Sequence, residues 1–189
     1  MIEIRWHGRG GQGAKTIALL FADAALAQGK FIQAFPEYGP ERMGAPVAAF
    51  NRISDRPIRL HSGVTNPQVV VVLDPTLIGV VDVLAGLDPR AGTVVVNTTK
   101  SPAEVRQELK FEGKVCTIDA MGIATDCIGK PIPNMPMLGA MVKATGLLAI
   151  DQMIDEVKAK IAVKFKHKPE VIEGNLTAVR RSFEEVKTA

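Results

Sequence analysis

The sequence predicts an α/β fold: a doubly wound, mostly parallel sheet with a helical C-terminal extension. Two observations carry this expectation. Over roughly the first 130 residues, short runs of β-branched and aliphatic residues alternate with longer stretches of helical periodicity. A glycine-rich segment then falls between the first such run and the first helical stretch, where nucleotide-binding sheets of this class carry their phosphate loop. The length, 189 residues, suits one domain at ~100 to 200 residues each. We expect its α/β core over about 1–130 and its helical extension over about 131–189.

Ile2 to Trp6 reads as the first strand. A helix follows from about Ala14 to Gln28, because Ile17, Leu20, Phe21, Ala24 and Ala25 recur at helical spacing and Gly29 supplies a stop. Phe31 to Phe35 and Pro46 to Ile53 read as the next two strands, separated by the Pro- and Gly-punctuated segment Pro36 to Ala45. Val69 to Leu73 is an unbroken aliphatic run, the pattern of a strand covered on both faces. Asp74-Pro75 then marks a helix start, with an Asp cap and Pro at the first helical position. Val94 to Val96 repeats the strand pattern, Ser101-Pro102-Ala103-Glu104 spells a capping box, and Lys114 to Ile118 is a further strand. Beyond Pro131 no strand pattern recurs. Pro133-Asn134-Met135-Pro136 opens a helix to about Ile150, a second spans Asp151 to Val163, and the last covers about Val171 to Val186, with Arg180 and Glu184 placed for an i,i+4 pair.

Composition removes several function classes. With 47% hydrophobic and 23% charged residues the chain is not disordered, and no apolar run approaches the ~20 residues a bilayer span needs. Met1-Ile2-Glu3-Ile4-Arg5 carries no secretory pattern, so the cytoplasm is the expected location. A net charge of +3, from 23 basic against 20 acidic residues, is too balanced for a dedicated nucleic-acid binder. Cys116 and Cys127 are too few for a disulfide framework, a four-thiolate zinc site or an iron–sulfur cluster, so any redox metal belongs on another chain. The first is expected in the core and the second packed on a helix.

The most informative segment is His7-Gly8-Arg9-Gly10-Gly11-Gln12-Gly13-Ala14-Lys15-Thr16. Gly8, Gly10 and Gly13 fit G-x-G-x-x-G between a strand and a helix, where glycines allow close backbone approach and the helix start offers free donors to phosphate. A Rossmann-like dinucleotide site should also place an acid at the end of the second strand. Phe31 to Pro36 contains none, and Glu37 lies beyond the proline. A P-loop needs Gly-Lys-Ser/Thr, whereas Ala14 is inserted between Gly13 and Lys15, turning the lysine by ~100° around the helix. Close packing of the helix on the sheet is a purely structural alternative for the same glycines. His7 reads as a structural histidine rather than a catalytic one. Met135, Met137 and Met141 read as core or as a subunit contact. The basic stretch Lys158, Lys160, Lys164, Lys166, His167 and Lys168 reads as a solvated face, or as a docking surface.

Four segments together resemble the gamma subunits of 2-oxoacid:ferredoxin oxidoreductases, particularly of the pyruvate enzyme. They are His7 to Gly13, Gln33-Ala34-Phe35-Pro36-Glu37-Tyr38-Gly39-Pro40-Glu41-Arg42-Met43-Gly44-Ala45-Pro46, Asn97-Thr98, and Pro133-Asn134-Met135-Pro136-Met137-Leu138-Gly139-Ala140. The resemblance runs from Ile2 to about Val186. It implies a non-autonomous subunit of a complex that oxidatively decarboxylates a 2-oxoacid, transfers the acyl group to coenzyme A and reduces ferredoxin. It further implies alpha, beta and delta partner subunits, which carry thiamine diphosphate and 4Fe-4S clusters, and no nucleic-acid or membrane partner. For this chain it implies a share in assembly and in binding coenzyme A. On that reading Gly8, Gly10, Gly11 and Gly13 give backbone approach to the coenzyme phosphates. Arg9, Lys15 and Arg42 give charge, Gln12 and Thr16 neutral hydrogen bonds, and Asn97 and Thr98 a second polar rim. Glu41 pairs with Arg42 or with a partner subunit. No residue reads as a nucleophile or general base.

Overall fold

The computed structural model describes residues 1–36 and 43–189. Among them, strands β1 (Ile2–Arg9), β2 (Phe31–Pro36), β3 (Pro46–Ser54), β4 (Val69–Val72), β5 (Thr93–Asn97), β6 (Lys114–Ile118) and β7 (Lys187–Thr188) form one sheet, in the order β2-β3-β1-β4-β5-β6-β7. Helices α1 (Ala14–Ala27), α2 (Pro102–Leu109), α3 (Ala120–Ile128), α4 (Asn134–Thr145), α5 (Ile150–Lys164) and α6 (Pro169–Glu185) cover it. β1, β4, β5 and β6 are mutually parallel, β3 runs antiparallel between β1 and β2, and β7 runs antiparallel beside β6.

Alternate side chains of the parallel strands feed two cores. On one face Ile4, Trp6, Val71, Val95 and Cys116 pack against α1 and α3 to α6. On the other, Val70, Val72, Val94, Val96 and Val115 meet Val105 of α2 and Leu77, Val83 and Leu87 of the β4–β5 connection. The chain thus leaves β1 over one face and β4 over the other, so the winding reverses between these two neighbours. Ligands of open α/β sheets collect at that reversal, outside the carboxyl ends of the strands. The all-valine β4 sits there with side chains 0–5% exposed, as its unbroken aliphatic run requires.

Several boundaries differ from expectation for identifiable reasons. β1 continues through Gly8 and Arg9 because Val47 and Pro46 pair with them. The start at Asp74-Pro75 is real, since Asp74 accepts from the Thr76 N–H, but it yields only a three-residue 3-10 turn. Ile78 is extended and Gly79 takes φ 85, so the connection lies flat on the sheet and buries Leu77 there. α3, unmarked in the sequence reading, is capped by Asp119 and stopped by Gly129 at φ 68. α4 ends at Thr145 rather than near Ile150 because Gly146 adopts φ 63, a left-handed C-cap. A strand does occur after Pro131: β7 pairs Thr188 with Cys116 and Lys187 with Thr117. The Ser101–Glu104 capping box forms reciprocally, as its local sequence dictates.

The C-terminal helices are layered rather than appended. A Cβ on Gly139 of α4 would lie 2.1 Å from the Val179 carbonyl of α6, and one on Gly174 of α6 would lie 2.4 Å from the Cys127 carbonyl of α3. Both glycines therefore let helix backbones touch. Met135, Met137 and Met141 are core residues, 0–3% exposed. Lys158 pairs with Glu173 and Lys160 with Asp23, so part of the basic stretch is neutralised locally. Among the described residues no helix is long and apolar enough to cross a membrane.

Buried polar groups fix the sheet's register. The Trp6 indole N–H donates to Asn51 Oδ1 at 2.7 Å, and Asn51 Nδ2 donates to the Ala18 carbonyl of α1 at 3.0 Å. Arg52, 1% exposed, donates to Glu3 Oε1 at 2.6 Å and to the carbonyls of Ser62 and Gly63. His7 is buried beside Arg5 under the β4–β5 connection. Burial first, then the Arg5 charge, push its pKa down to about 4, against the opposing influence of the Val83 backbone and Asp82.

Two outcomes follow. Arg52→Ala leaves Glu3 without its buried partner and should cost about 3–5 kcal/mol, read from urea midpoints at neutral pH. His7 is neutral when folded, so its contribution is whole above pH 6.5 and is lost as pH falls through about 4. That loss is about 3 kcal/mol in full. His7→Gln should remove this portion of the acid destabilisation, seen as a smaller stability drop between pH 7 and pH 4.

Candidate functional site

The glycine loop is anchored to its neighbours at every turn. The Gly10 N–H donates to the Ala45 carbonyl at 2.9 Å, and the Gly44 N–H returns a bond to the Gly10 carbonyl at 3.1 Å. Gly11 and Gly13 take φ 96 and φ 84, which side-chain-bearing residues rarely adopt. Gly13 is also the N-cap of α1, and a Cβ there would sit 2.6 Å from Asn134 Nδ2. The start of α4 thus closes over the start of α1, and only glycine leaves room between them.

Two of the expected ligand groups, Gln12 and Arg9, brace the loop from within the protein. Gln12 Oε1 accepts from the Arg9 N–H at 2.8 Å while its Nε2 donates to Asp74 Oδ2 at 2.7 Å. The Arg9 guanidinium lies 3.3 Å from Asp74 Oδ2 and donates to Thr76 Oγ1 and to the Gly44 carbonyl. Burial alone would raise the Asp74 pKa. Hydrogen bonds from Thr76 and Gln12, together with the Arg9 charge, outweigh it and hold the carboxyl below its usual range. Arg9 is thereby neutralised in place, and the local positive character must come from elsewhere.

It comes from the helix start. α1 has neither a side-chain cap nor an acidic residue in its first turn. The N–H groups of Gly13, Ala14, Lys15 and Thr16 find no acceptor among the described residues. Lys15 and Thr16 are exposed on this turn. Asn134 uses Oδ1 to cap the Met135 N–H at 2.7 Å, which turns its Nδ2 donors toward Gly13. Free N–H groups, the positive end of the helix dipole and a carboxamide therefore meet at the start of α1, with exposed Lys15 on its first turn, a constellation suited to phosphate.

The other expected residues fall differently. Asn97 is 3% exposed and fully used: Nδ2 donates to the Leu73 carbonyl at 2.8 Å and Oδ1 accepts from the Ala120 N–H at 3.0 Å. It ties the carboxyl ends of β4 and β5 to α3, whereas Thr98 lines a separate cavity at β5 and β6. Glu41 and Arg42 lie outside the described residues. Asn134 and Asp74 were not among the expected site residues. Their signals were present, as the Asn in Pro133-Asn134-Met135-Pro136 and the cap in Asp74-Pro75, but only tertiary packing brings them to the loop.

The two cysteines lie on separate elements. Cys116 Sγ lies in the core 3.3 Å from Thr188 Oγ1, and Cys127 sits on α3.

Residues 3–185 match the family described as pyruvate ferredoxin/flavodoxin oxidoreductase. The chain is 49% identical over 185 residues to pyruvate synthase subunit PorC of Thermotoga maritima, covering 98% of this chain and 94% of that one. It is 54% identical over 159 residues to the pyruvate/ketoisovalerate oxidoreductases common subunit gamma of Thermococcus kodakarensis, covering 84% and 85%. The crystal structure of pyruvate oxidoreductase subunit PORC from Thermotoga maritima matches with a TM-score of 0.84 at 45% identity, over 100% of this chain and 98% of that one. A keto/oxoacid ferredoxin oxidoreductase gamma subunit from Geobacter sulfurreducens, at TM-score 0.72 and 22% identity over 97% of each chain, shares the fold. Sequence and architecture agree over nearly the whole length, and the chain belongs to the pyruvate ferredoxin/flavodoxin oxidoreductase family, among its gamma subunits.

Proposed function

We propose that the chain works in a cytoplasmic complex that converts pyruvate, coenzyme A and oxidised ferredoxin to acetyl-CoA, carbon dioxide and reduced ferredoxin, and that its own task there is to seat the coenzyme phosphates. The observation that carries the reaction is the 49% identity to a pyruvate synthase subunit over 98% of the chain. Alpha, beta and delta subunits complete the complex and hold thiamine diphosphate and the iron–sulfur clusters.

The phosphate seat is the start of α1. Gly8, Gly10, Gly11 and Gly13 shape a backbone that approaches the ligand, and the N–H groups from Gly13 to Thr16 donate to it. Lys15 supplies a mobile cation and Asn134 a fixed carboxamide. Arg9 and Gln12 act one step back, holding the loop against Asp74. Glu41 and Arg42 are assigned to the same rim from their place in the sequence, and Thr98 to its far end. None of these groups is a nucleophile or base, so the contribution is orientation and charge stabilisation of a bound substrate rather than bond chemistry.

The reaction is tested on the purified complex by pyruvate- and coenzyme A-dependent reduction of ferredoxin, and inactivity toward every 2-oxoacid would sink it. The seat is tested by Asn134→Asp, which places a carboxylate against the free donors of α1 while keeping the local cap. KM for coenzyme A should rise about tenfold or more, the equivalent of about 1.4 kcal/mol, with KM for pyruvate unchanged. An unaltered coenzyme A KM in this variant and in Gly13→Ala would remove the seat from α1.

A further inference from the structure

β2 ends the sheet on the side away from β7, and among the described residues its strand partner is β3 alone. Edge strands that stay open are guarded by lysines, prolines, bulges or brevity. β2 has none of these before Pro36: Phe31 to Phe35 carries no charge, and its register against β3 runs unbroken from Phe31–Ser54 to Pro36–Ala49. The adjacent Lys30 ammonium is bound to Asp55 at 2.6 Å. Large apolar side chains gather around the same edge. Phe31 is 44% exposed, Leu19 and Leu26 of α1 are 46% and 65% exposed, and Leu60, also exposed, stands beside Gln33, whose Nε2 donates to its carbonyl. An uncharged, unguarded edge with apolar flanks is covered in the working protein, or it aggregates.

The pattern along this edge matches a second copy of itself. Phe31, Gln33 and Phe35 point to one face, with Arg52 and Phe50 of β3, and Ile32 and Ala34 to the other, where Ile32 packs against the core beneath α1. The first face reads Phe-Gln-Phe in either direction. A second β2 laid antiparallel with Gln33 opposite itself therefore sets Phe31 against Phe35 and Ile32 against Ala34, apolar pairs with no like charges opposed. The backbone suits that register. The Gln33 carbonyl turns inward to within 3.5 Å of Asn51 Nδ2, so strand alternation turns the N–H and C=O groups of Ile32 and Ala34 outward, where each can exchange both bonds with the other in the copy.

α1 repeats the symmetry at the same level. Ala22, beside the midpoint of Leu19 and Leu26, lies ~9 Å from the C-cap Gln28 at the helical rise, and Gln33 lies ~10 Å beyond Lys30 at the strand rise. One two-fold axis thus passes both, and it sets Leu19 against Leu26 of the copy. Because α1 lies over β2 and β3, two such helices would stand ~10 Å apart across the axis at the usual strand spacing. That is the distance at which helices pack.

We propose that β2 is the interface between two copies of this chain: the strands pair antiparallel about Gln33, the two sheets become one, and the α1 helices pack across the same axis through Leu19 and Leu26. The contact is isologous, so it closes at two copies. It is independent of the coenzyme reading of the glycine loop, and it places this chain in pairs in any complex it enters.

Sedimentation equilibrium of the full chain should give twice the single-chain mass. Leu19→Glu with Leu26→Glu crowds carboxylates around the axis and should return the single-chain mass, with helix content by circular dichroism unchanged. Leu19→Lys with Leu26→Glu should restore the pair, since position 19 faces position 26 of the copy. The register is read in the assembled complex, in a Cys127→Ser background under mild oxidation. Gln33→Cys should link two copies by a disulfide, because a residue opposite itself lies ~4.5 Å across at Cα, within reach of that bond. Phe31→Cys, opposite Phe35, should stay unlinked. A single-chain mass together with no link between copies in the complex would overturn the assignment. So would capture of a different subunit at Gln33→Cys, or a paired chain in which Gln33→Cys stays unlinked.

Discussion

The Asp74 carboxylate organises the carboxyl edge of the sheet. It accepts from the Thr76 backbone and hydroxyl through one oxygen and from Gln12 through the other, with the Arg9 guanidinium alongside. Each partner comes from a different piece of the switch point: the end of β1, the loop before α1, and the turn after β4. Without this junction the glycines have conformational freedom but no reason to prefer the one arrangement that points the α1 N–H groups outward. A loop that is permissive everywhere is entropically expensive to order, and charge-assisted bonds to a partly buried carboxylate offset that cost.

The two faces of the sheet divide the labour. Five helices crowd one face and pack closely enough that Gly139 and Gly174 touch neighbouring backbones. The other face carries α2 and an irregular connection held by Leu77, Val83 and Leu87. The rigid face delivers α4 to the start of α1, and so fixes Asn134. The looser face leaves β4 and β5 free to end in turns that carry Thr76, exposed, and Thr98, half-buried. Rigid support beneath and adaptable loops at the strand ends is the usual division in sites that bind extended ligands.

What was legible in the sequence is what is decided locally. The Ser101–Glu104 capping box involves four consecutive residues and forms as written. The valines of β4 read as doubly buried because no polar residue interrupts them. The glycine loop was visible for the same reason, since positive φ at Gly11 and Gly13 is a demand on single residues. What was not legible depends on partners far along the chain. Arg9 reads as an unpaired cation until Asp74 is placed beside it, and Asn134 looks like an ordinary helix start until α4 lands on Gly13. The helix start at Asp74 obeyed its local signal and then stopped, because Leu77 and Leu87 gain more by lying on the sheet than a longer helix would offer. β7 is two residues long and exists only because β6 presents an open edge.

The position of β1 sets an order on how the molecule comes together. It is made first, yet its ladders pair Arg9 with Pro46 and His7 with Val72, so it waits through both intervening segments for its neighbours. Pairings this distant in sequence form slowly, since loop closure must precede the contacts that reward it. α1 can gather its own turns early, but the loop at its head acquires a shape only once Asp74 has arrived behind β4. The final shape of that loop is therefore among the last features of the domain to appear, and a partly formed chain exposes the apolar flanks of β1 before the loop is set.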